Sequence, residues 1–168
     1  MKNIIILGSK GALGKALTNY LKDNNKIFLD SKFNINNLLS LEFISKNNIN
    51  CVINCIGSIS DIDLFFNSNF ILPYIISEKL STIDAYLKNK ILFIHISTIA
   101  VNAPYMKYNF KSLPLMNLNK LKIKYNKYEF SKTCGEVVIR KNLIGLENIS
   151  TIILQPSNII FDNSFFLK

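Results

Sequence analysis

The chain has 168 residues, of which 49% are hydrophobic, and a formal net charge of +9 from 20 Lys+Arg against 11 Asp+Glu. This length is typical of one domain with a buried core, and the composition excludes a disordered or collagen-like chain. No apolar run approaches the roughly 20 residues of a membrane-spanning helix, and the first residues lack the apolar core of a signal peptide. We therefore expect a cytoplasmic protein that does not bind membranes.

The positive charge comes almost entirely from lysine, since Arg140 is the only arginine. Proteins that read nucleic acids usually use arginine for paired contacts to bases and phosphates, so nucleic acid is not the expected partner. We expect a solvated surface instead, and this includes the tract at Lys120, Lys122, Lys124 and Lys127.

Three cysteines, Cys51, Cys55 and Cys134, form no paired framework. With one histidine in the chain, they also lack the partners of a zinc site. We expect core thiols and no metal.

Apolar runs alternate with amphipathic patterns along the chain. The runs predict strands at Lys2–Leu7, Lys26–Leu29, Cys51–Ile56, Ile91–Ser97 and Ser150–Leu154. The amphipathic stretches predict helices at Ala12–Leu21, Leu38–Lys46, about Ile71–Leu87 and Tyr128–Lys141. This alternation predicts an α/β fold, a Rossmann-like doubly wound parallel sheet with helices on both faces, as one domain over residues 1–168.

A glycine-rich turn joins the first strand to the first helix, and its residues are Gly8, Ser9, Lys10, Gly11, Ala12, Leu13 and Gly14. Such glycines permit a tight turn and a close approach of backbone N–H groups to a pyrophosphate at the helix N-terminus. Asp30 follows Gly11 by 19 residues, close to the offset of a carboxylate that binds the adenosine ribose. The pattern predicts NAD, with NADP as an alternative because Lys32 is near. A glycine turn that binds nothing is the other alternative.

Tyr128 and Lys132 lie one turn apart on one face of the last predicted helix. A neighbouring ammonium lowers the pKa of a phenol, which lets tyrosine exchange a proton near neutral pH. Tyr86 and Lys90 have the same spacing but precede the fourth strand, whereas ligands of parallel sheets bind at the carboxyl ends. Thr98 follows that strand, and we expect its hydroxyl to donate to a substrate oxygen that Tyr128 also reaches.

The order of these motifs along the chain resembles that in the extended short-chain dehydrogenase/reductases, in particular the NAD-dependent epimerase/dehydratase and dehydrorhamnose-reductase-like branches. Besides the glycine loop, the resemblance rests on Asp30, Asn54 to Gly57, Asn69, Ser97, Thr98, Tyr128, Lys132, Gly135, Glu136 and the segment Gln155-Pro156-Ser157-Asn158. It implies hydride transfer between nicotinamide and a carbon of a nucleotide-linked sugar. Tyr128 would be the acid/base, Lys132 would tune it and hold the nicotinamide ribose, and Thr98 would orient the reacting oxygen. Further implied cofactor contacts are Asn34, Cys55, Ile56, Gly57, Asn69 and Pro156.

Several positions depart from the family pattern. Ile99 and Ala100 replace the acidic pair that follows the catalytic threonine in dehydratases, which leaves an epimerase or a keto-sugar reductase. Asn34 stands where an aspartate commonly contacts adenine. Asn102 stands where a tyrosine is usual, and Gln155 where the strand-end segment usually begins with arginine.

Family members continue beyond this length into a segment that grips the nucleotide sugar, so the sequence up to Lys168 predicts a cofactor domain without that segment. The alternative to an enzyme is therefore a catalytically weak or silent dinucleotide-binding protein or fragment. The oligomeric state is left open, with a homodimer as one alternative. A role in polysaccharide biosynthesis is implied by the resemblance alone. We expect His95 to be a packed core histidine, and expect loop packing for the cluster Tyr105, Tyr108 and Phe110.

Overall fold

The computed structural model describes residues 2–32, 34–58, 65–102 and 127–157, except for the side chain of Lys127. Three interpretations of the sequence concern residues outside these ranges: the aromatic cluster of Tyr105, Tyr108 and Phe110, the lysine tract at Lys120, Lys122 and Lys124, and Asn158. Within the ranges described, no helix is long and apolar enough to cross a membrane.

In the described part of the chain, five strands form one sheet in which all neighbours are parallel. They are β1 (Lys2–Leu7), β2 (Asn25–Leu29), β3 (Cys51–Asn54), β4 (Ile91–Ile96) and β5 (Ile149–Leu154), in the spatial order β2-β1-β3-β4-β5. The register places Leu7 and His95 on either side of Asn54. Since the strand order reverses direction between β1 and β3, the carboxyl edge at this point is where ligands of such sheets bind.

Helices cover both faces of the sheet. They are α1 (Ala12–Leu21), α2 (Ile35–Leu38), α3 (Leu41–Lys46), α4 (Leu72–Ile83) and α5 (Lys127–Leu143). Alternate residues of β1 point to opposite faces, so Ile5 and Leu7 join the large core under α2 to α5, whereas Ile4 and Ile6 join a smaller core under α1. The predicted α/β fold with a doubly wound parallel sheet is confirmed.

The prediction of one helix over Leu38–Lys46 is wrong. α2 ends at Leu38, and Ser40 begins α3 as its N-cap, with its Oγ accepting the N–H of Phe43 at 3.2 Å. Apolar residues continue with helical spacing through both helices, so their period does not reveal the break. A serine side chain that satisfies a first-turn N–H is what ends one helix and starts the next.

The segment predicted as one helix over about Ile71–Leu87 consists of three parts. A π-helical turn at Asn67–Ile71 leads into α4, and a 3₁₀ turn at Asp84–Tyr86 follows it. Pro73 is the second residue of α4. Because proline has no N–H, it donates no hydrogen bond to the π-helical turn before it.

The third strand is shorter than predicted. β3 ends at Asn54, whose Oδ1 accepts the N–H of Ile56 at 3.0 Å and turns the chain away from the sheet. Cys55 therefore lies beyond the strand. It is an unbonded, half-buried thiol, as are Cys51 and Cys134.

Candidate active site

The glycine loop follows β1 directly and packs against the end of β3. Gly8 has φ +80°, and a methyl group at its Cα would lie 2.8 Å from the carbonyl carbon of Cys55 and the nitrogen of Ile56. Only glycine accommodates both this backbone angle and this contact. The turn is closed by the N–H of Gly11, which donates to the Gly8 carbonyl at 3.0 Å.

The first turn of α1 is arranged to receive an anion. Gly11 is its N-cap and supplies no side-chain hydrogen bond, and no acidic residue lies in the first turn. The first N–H groups of a helix have no partner within the helix and carry the positive end of its dipole. Gly11 and Ala12 are exposed, so a pyrophosphate can approach these groups. The residues present thus fit the phosphate portion of a dinucleotide.

Asp30, at the carboxyl end of β2, holds the glycine loop. Its carboxylate accepts the N–H of Gly8 at 2.7 Å and that of Ser9 at 3.0 Å, and the Ser9 hydroxyl also donates to it. The sequence predicts a ribose contact for this residue; the structure adds a loop-ordering contact that spacing did not indicate. An ionised carboxylate has about four acceptor sites, so a ribose hydroxyl can still bind. Asn34 is the N-cap of α2, with its Oδ1 accepting the N–H of Asn36 at 2.8 Å.

The segment after β3 forms the second wall of the site. Buried Asn54 pairs its Nδ2 with Nδ1 of His95 at 3.0 Å, and the N–H of Cys55 donates to the Leu7 carbonyl at 2.9 Å. Burial first, and the nearby Asp30 carboxylate second, raise the pKa of the Cys55 thiol to about 11. Cys55 is therefore a neutral thiol at physiological pH.

Lys132 brings a buried ammonium to this wall. The residue is 5% exposed, and its Nζ donates to the Ile96 carbonyl at 3.4 Å. A methyl group on Gly57 would lie 2.7 Å from Nζ, so the absence of a side chain there makes room for the ammonium. Burial lowers the pKa of Lys132 to about 8, while the charge of Glu136 opposes that change.

Tyr128 and Thr98 form the third part of the site. The Thr98 side chain lies close enough to Tyr128 to act on its pKa, and the Tyr128 ring packs edge-on against Phe65 with centroids 5.8 Å apart. Burial raises the pKa of Tyr128, and the Thr98 side chain partly offsets the change. The expectation that Lys132 lowers the pKa of Tyr128 is wrong. The ammonium donates to the Ile96 carbonyl, and burial has the largest effect on the Tyr128 pKa.

Asn69, in the π-helical turn, is fully buried and connects the segment after β3 to α5. Its Oδ1 accepts the N–H of Ser58 at 3.0 Å, and its Nδ2 donates to the Ser58 carbonyl at 3.0 Å and to Ser131 Oγ at 3.1 Å. The sequence pointed to Asn69 but not to Ser58 or Ser131. No local spacing links positions this far apart in the chain, so only the fold brings them together.

The predicted site residues thus meet at the carboxyl edge of the sheet. The glycine loop and Asp30 lie at the ends of β1 and β2, while Gly57 and Lys132 lie beside the end of β4. Pro156 follows β5, and its carbonyl accepts the N–H of Ile99 at 3.1 Å, next to Thr98. Tyr86, the other tyrosine with a lysine four residues later, lies in the 3₁₀ turn before β4 and is 69% exposed.

Comparison with protein families gives one match. The family model NAD_binding_4, described as "Male sterility protein", matches residues 78–165. No curated protein matches the sequence significantly.

Solved structures share the fold at low sequence identity. A dTDP-4-dehydrorhamnose reductase from Yersinia enterocolitica is 20% identical, with a TM-score of 0.59 over 91% of this chain and 52% of that chain. A UDP-glucuronic acid 4-epimerase from Bacillus cereus, in complex with NAD, is 18% identical, with a TM-score of 0.58 over 91% and 56%. A thiolation-reductase di-domain from an archaeal non-ribosomal peptide synthetase is 18% identical, with a TM-score of 0.60 over 92% and 51%.

This chain therefore spans about half the length of the structures it matches. With the family match, these likenesses confirm the predicted resemblance to the extended short-chain dehydrogenase/reductases. The prediction of NAD as the cofactor is confirmed as well.

Proposed function

Since the chain belongs to the NAD_binding_4 family, we propose that it is an NAD-dependent oxidoreductase or isomerase acting on a nucleotide-linked sugar, as an epimerase or a keto-sugar reductase. Residues 1–168 would form its dinucleotide-binding domain. The cytoplasmic location and a homodimer stay predictions from the sequence.

One observation carries the proposal: Thr98, Tyr128 and the buried ammonium of Lys132 lie together at the carboxyl edge of the sheet, where the Thr98 side chain acts on the pKa of Tyr128. A phenol and a hydroxyl in contact can bind one carbonyl or alcohol oxygen of a substrate between them. Tyr128 would exchange the proton of that oxygen, and Thr98 would orient it. When bound, nicotinamide supplies the site that accepts or donates hydride.

Lys132 acts on this site through its charge and its donors. Below pH about 8 it carries a positive charge. Its ammonium has three N–H bonds, one of them directed at Ile96. The others are available for ribose hydroxyls. The glycine loop, Asp30 and the N-terminus of α1 would hold the pyrophosphate and the adenosine ribose.

The test compares Tyr128→Phe with Tyr86→Phe, which removes the same hydroxyl from the Tyr-Lys pair at the amino end of β4. Nicotinamide reduction and sugar interconversion are measured with a panel of UDP- and dTDP-sugars, together with NADH affinity. Tyr128→Phe should lower turnover by about 10²- to 10⁴-fold and leave NADH affinity nearly unchanged, and Tyr86→Phe should change neither. Equal turnover in wild type and Tyr128→Phe contradicts the proposal, and NADH binding without any turnover supports the dinucleotide-binding alternative.

The family match and the likeness to a thiolation-reductase di-domain favour one second candidate, a reductase of a thioester. The same Tyr128 and Thr98 hydroxyls would then bind a thioester carbonyl. An acyl-pantetheine thioester is the probe: its reduction at the expense of NADH, with no response to nucleotide sugars, supports this candidate over the first.

A further inference from the structure

Three polar side chains connect the segments that carry the site. Asn102 ends the 3₁₀ turn Ile99–Asn102 that follows Thr98, and its Nδ2 donates to Oε1 of Gln155 at 3.0 Å. Nε2 of Gln155 donates in turn to both carboxylate oxygens of Glu136, at 2.8 and 2.9 Å. Glu136 lies on α5, one turn beyond Lys132. We call this chain of contacts the Asn102–Gln155–Glu136 bridge.

The bridge supplies hydrogen bonds to Glu136, which is buried. The residue is 6% exposed, so its carboxylate depends on protein donors in place of water. Arg140 reaches one of its oxygens at 3.6 Å from a side chain that is 43% exposed. The two amide contacts of Gln155 are shorter and engage both oxygens. Gln155 is therefore the main polar partner of Glu136.

Two of the three residues of the bridge, Asn102 and Gln155, are positions where this sequence departs from its family resemblance. Arginine, which is usual at the position of Gln155, offers only donors, whereas an amide also has an acceptor. Gln155 uses both functions at once, donating to Glu136 and accepting from Asn102. The two departures are therefore in direct contact and complement each other.

We propose that Gln155 is a positioning residue of the active site: through the bridge it fixes the segment that carries Thr98 relative to the helix that carries Tyr128 and Lys132. This inference rests on the proposed function for its catalytic consequence. Backbone contacts at the end of β5 help, since Ile99 donates to the Pro156 carbonyl at 3.1 Å. They join Thr98 only to β5, however, and the side chain of Gln155 extends the connection to α5.

The predicted effect of breaking the bridge is a greater distance between the Thr98 hydroxyl and the Tyr128 phenol. Because the Thr98 hydroxyl lowers the pKa of Tyr128 against the effect of burial, moving it away raises this pKa further. The pKa is measurable without substrate by NMR titration of ¹³Cζ-labelled tyrosine, with Tyr128→Phe identifying the signal.

The variants remove the bridge in steps. Gln155→Leu removes the contacts with both Asn102 and Glu136. Asn102→Leu removes only the contact with Gln155 and leaves the Gln155–Glu136 pair. Gln155→Glu places a second carboxylate next to that of Glu136, which repels it. Glu136→Gln combined with Gln155→Glu exchanges the donor and the acceptor and so restores the pairing. Asn142→Leu is the matched control, since Nδ2 of Asn142 joins α5 to Ser77 on α4 at 3.0 Å, away from the site.

We expect Gln155→Leu and Asn102→Leu to raise the Tyr128 pKa by about half a unit or more. They should lower kcat about tenfold or more with a nearly unchanged KM for NADH. The exchange variant should recover wild-type values, and Asn142→Leu should change only the unfolding temperature. If Gln155→Leu does not fold, Asn102→Leu and the exchange variant give the answer.

An unchanged Tyr128 pKa in folded Gln155→Leu or Asn102→Leu overturns the inference, as does an exchange variant that fails to recover. Full turnover in Tyr128→Phe would instead sink the proposed function, and the titration would still report on the bridge.

Discussion

Lys132 keeps an ammonium group in a nearly water-free position. Burial lowers its pKa from 10.5 to about 8, so the folded protein binds this proton less tightly than the unfolded chain does. Below pH 8 both states are charged and the folded state bears the full desolvation penalty. Between pH 8 and 10.5 only the unfolded chain holds the proton, and the penalty fades as the pH rises.

Replacing this lysine should therefore stabilise the protein while removing its chemistry. We expect Lys132→Met to raise the free energy of unfolding at pH 7 by about 2 to 3 kcal/mol, and to abolish the proposed turnover. The gain should shrink as the pH approaches 10.5. Urea denaturation at pH 7 and pH 10 measures it, with exposed Lys141→Met as the control that changes little. A Lys132→Met variant that is less stable at pH 7 contradicts this account.

At the scale of elements, the contact between α5 and the π-helical turn decides the shape of the site. A methyl group on Gly135 would overlap the carbonyl oxygen of Asn69. The helix and the turn approach this closely only because residue 135 has no side chain. This contact keeps Asn69 where it binds Ser58 beside Gly57.

Gly135→Ala should force these two elements apart. We expect a loss of about 1 to 3 kcal/mol in unfolding free energy and weaker NADH binding, because Ser58 and Gly57 shift with Asn69. Gly145→Ala is the control: Gly145 has φ +86° and nothing within 4 Å of the added methyl group, so it loses about 1 kcal/mol with NADH affinity unchanged. Equal NADH affinity in both variants and wild type would refute the expected coupling.

How much of this could be predicted from the sequence depends on the distance between interacting residues. The glycine loop and the Tyr128–Lys132 pair are local patterns, and the sequence located both. The break before Ser40 was missed because apolar spacing runs through it. The contact of Asn102 with Gln155 joins residues 53 positions apart, and no periodic pattern links them. The raised pKa of Tyr128 depends on burial, which the sequence does not give.

At the scale of the whole molecule, the core beneath α4 and α5 contains an ionisable side chain, the single histidine. His95 is fully buried, and burial first, with the charge of Lys132 second, lowers its pKa to about 3. Its Nε2 has no hydrogen-bond partner among the residues described. His95 binds a proton near pH 6.5 in the unfolded chain, but only near pH 3 in the folded protein.

Stability should therefore fall as the pH drops from 6.5 to 3, because the unfolded state binds more protons throughout this window. We expect the His95 contribution to reach about 4 kcal/mol at pH 3. His95→Gln, whose amide oxygen can still accept from Asn54 without titrating, should lose less stability than wild type over the same range. Denaturant unfolding at pH 7, 5 and 3 tests this, and parallel losses in the two proteins would contradict it.

The sheet order also affects how the chain is made. β4 lies between β3, which precedes it, and β5, which comes only after residues 97–148. At roughly 5 to 20 residues per second, a ribosome takes several seconds to reach β5. During that time the strand Ile91–Ile96 has an unpaired edge, the kind of surface on which newly made chains associate. The β4 edge is therefore most open to association with other chains just before β5 emerges.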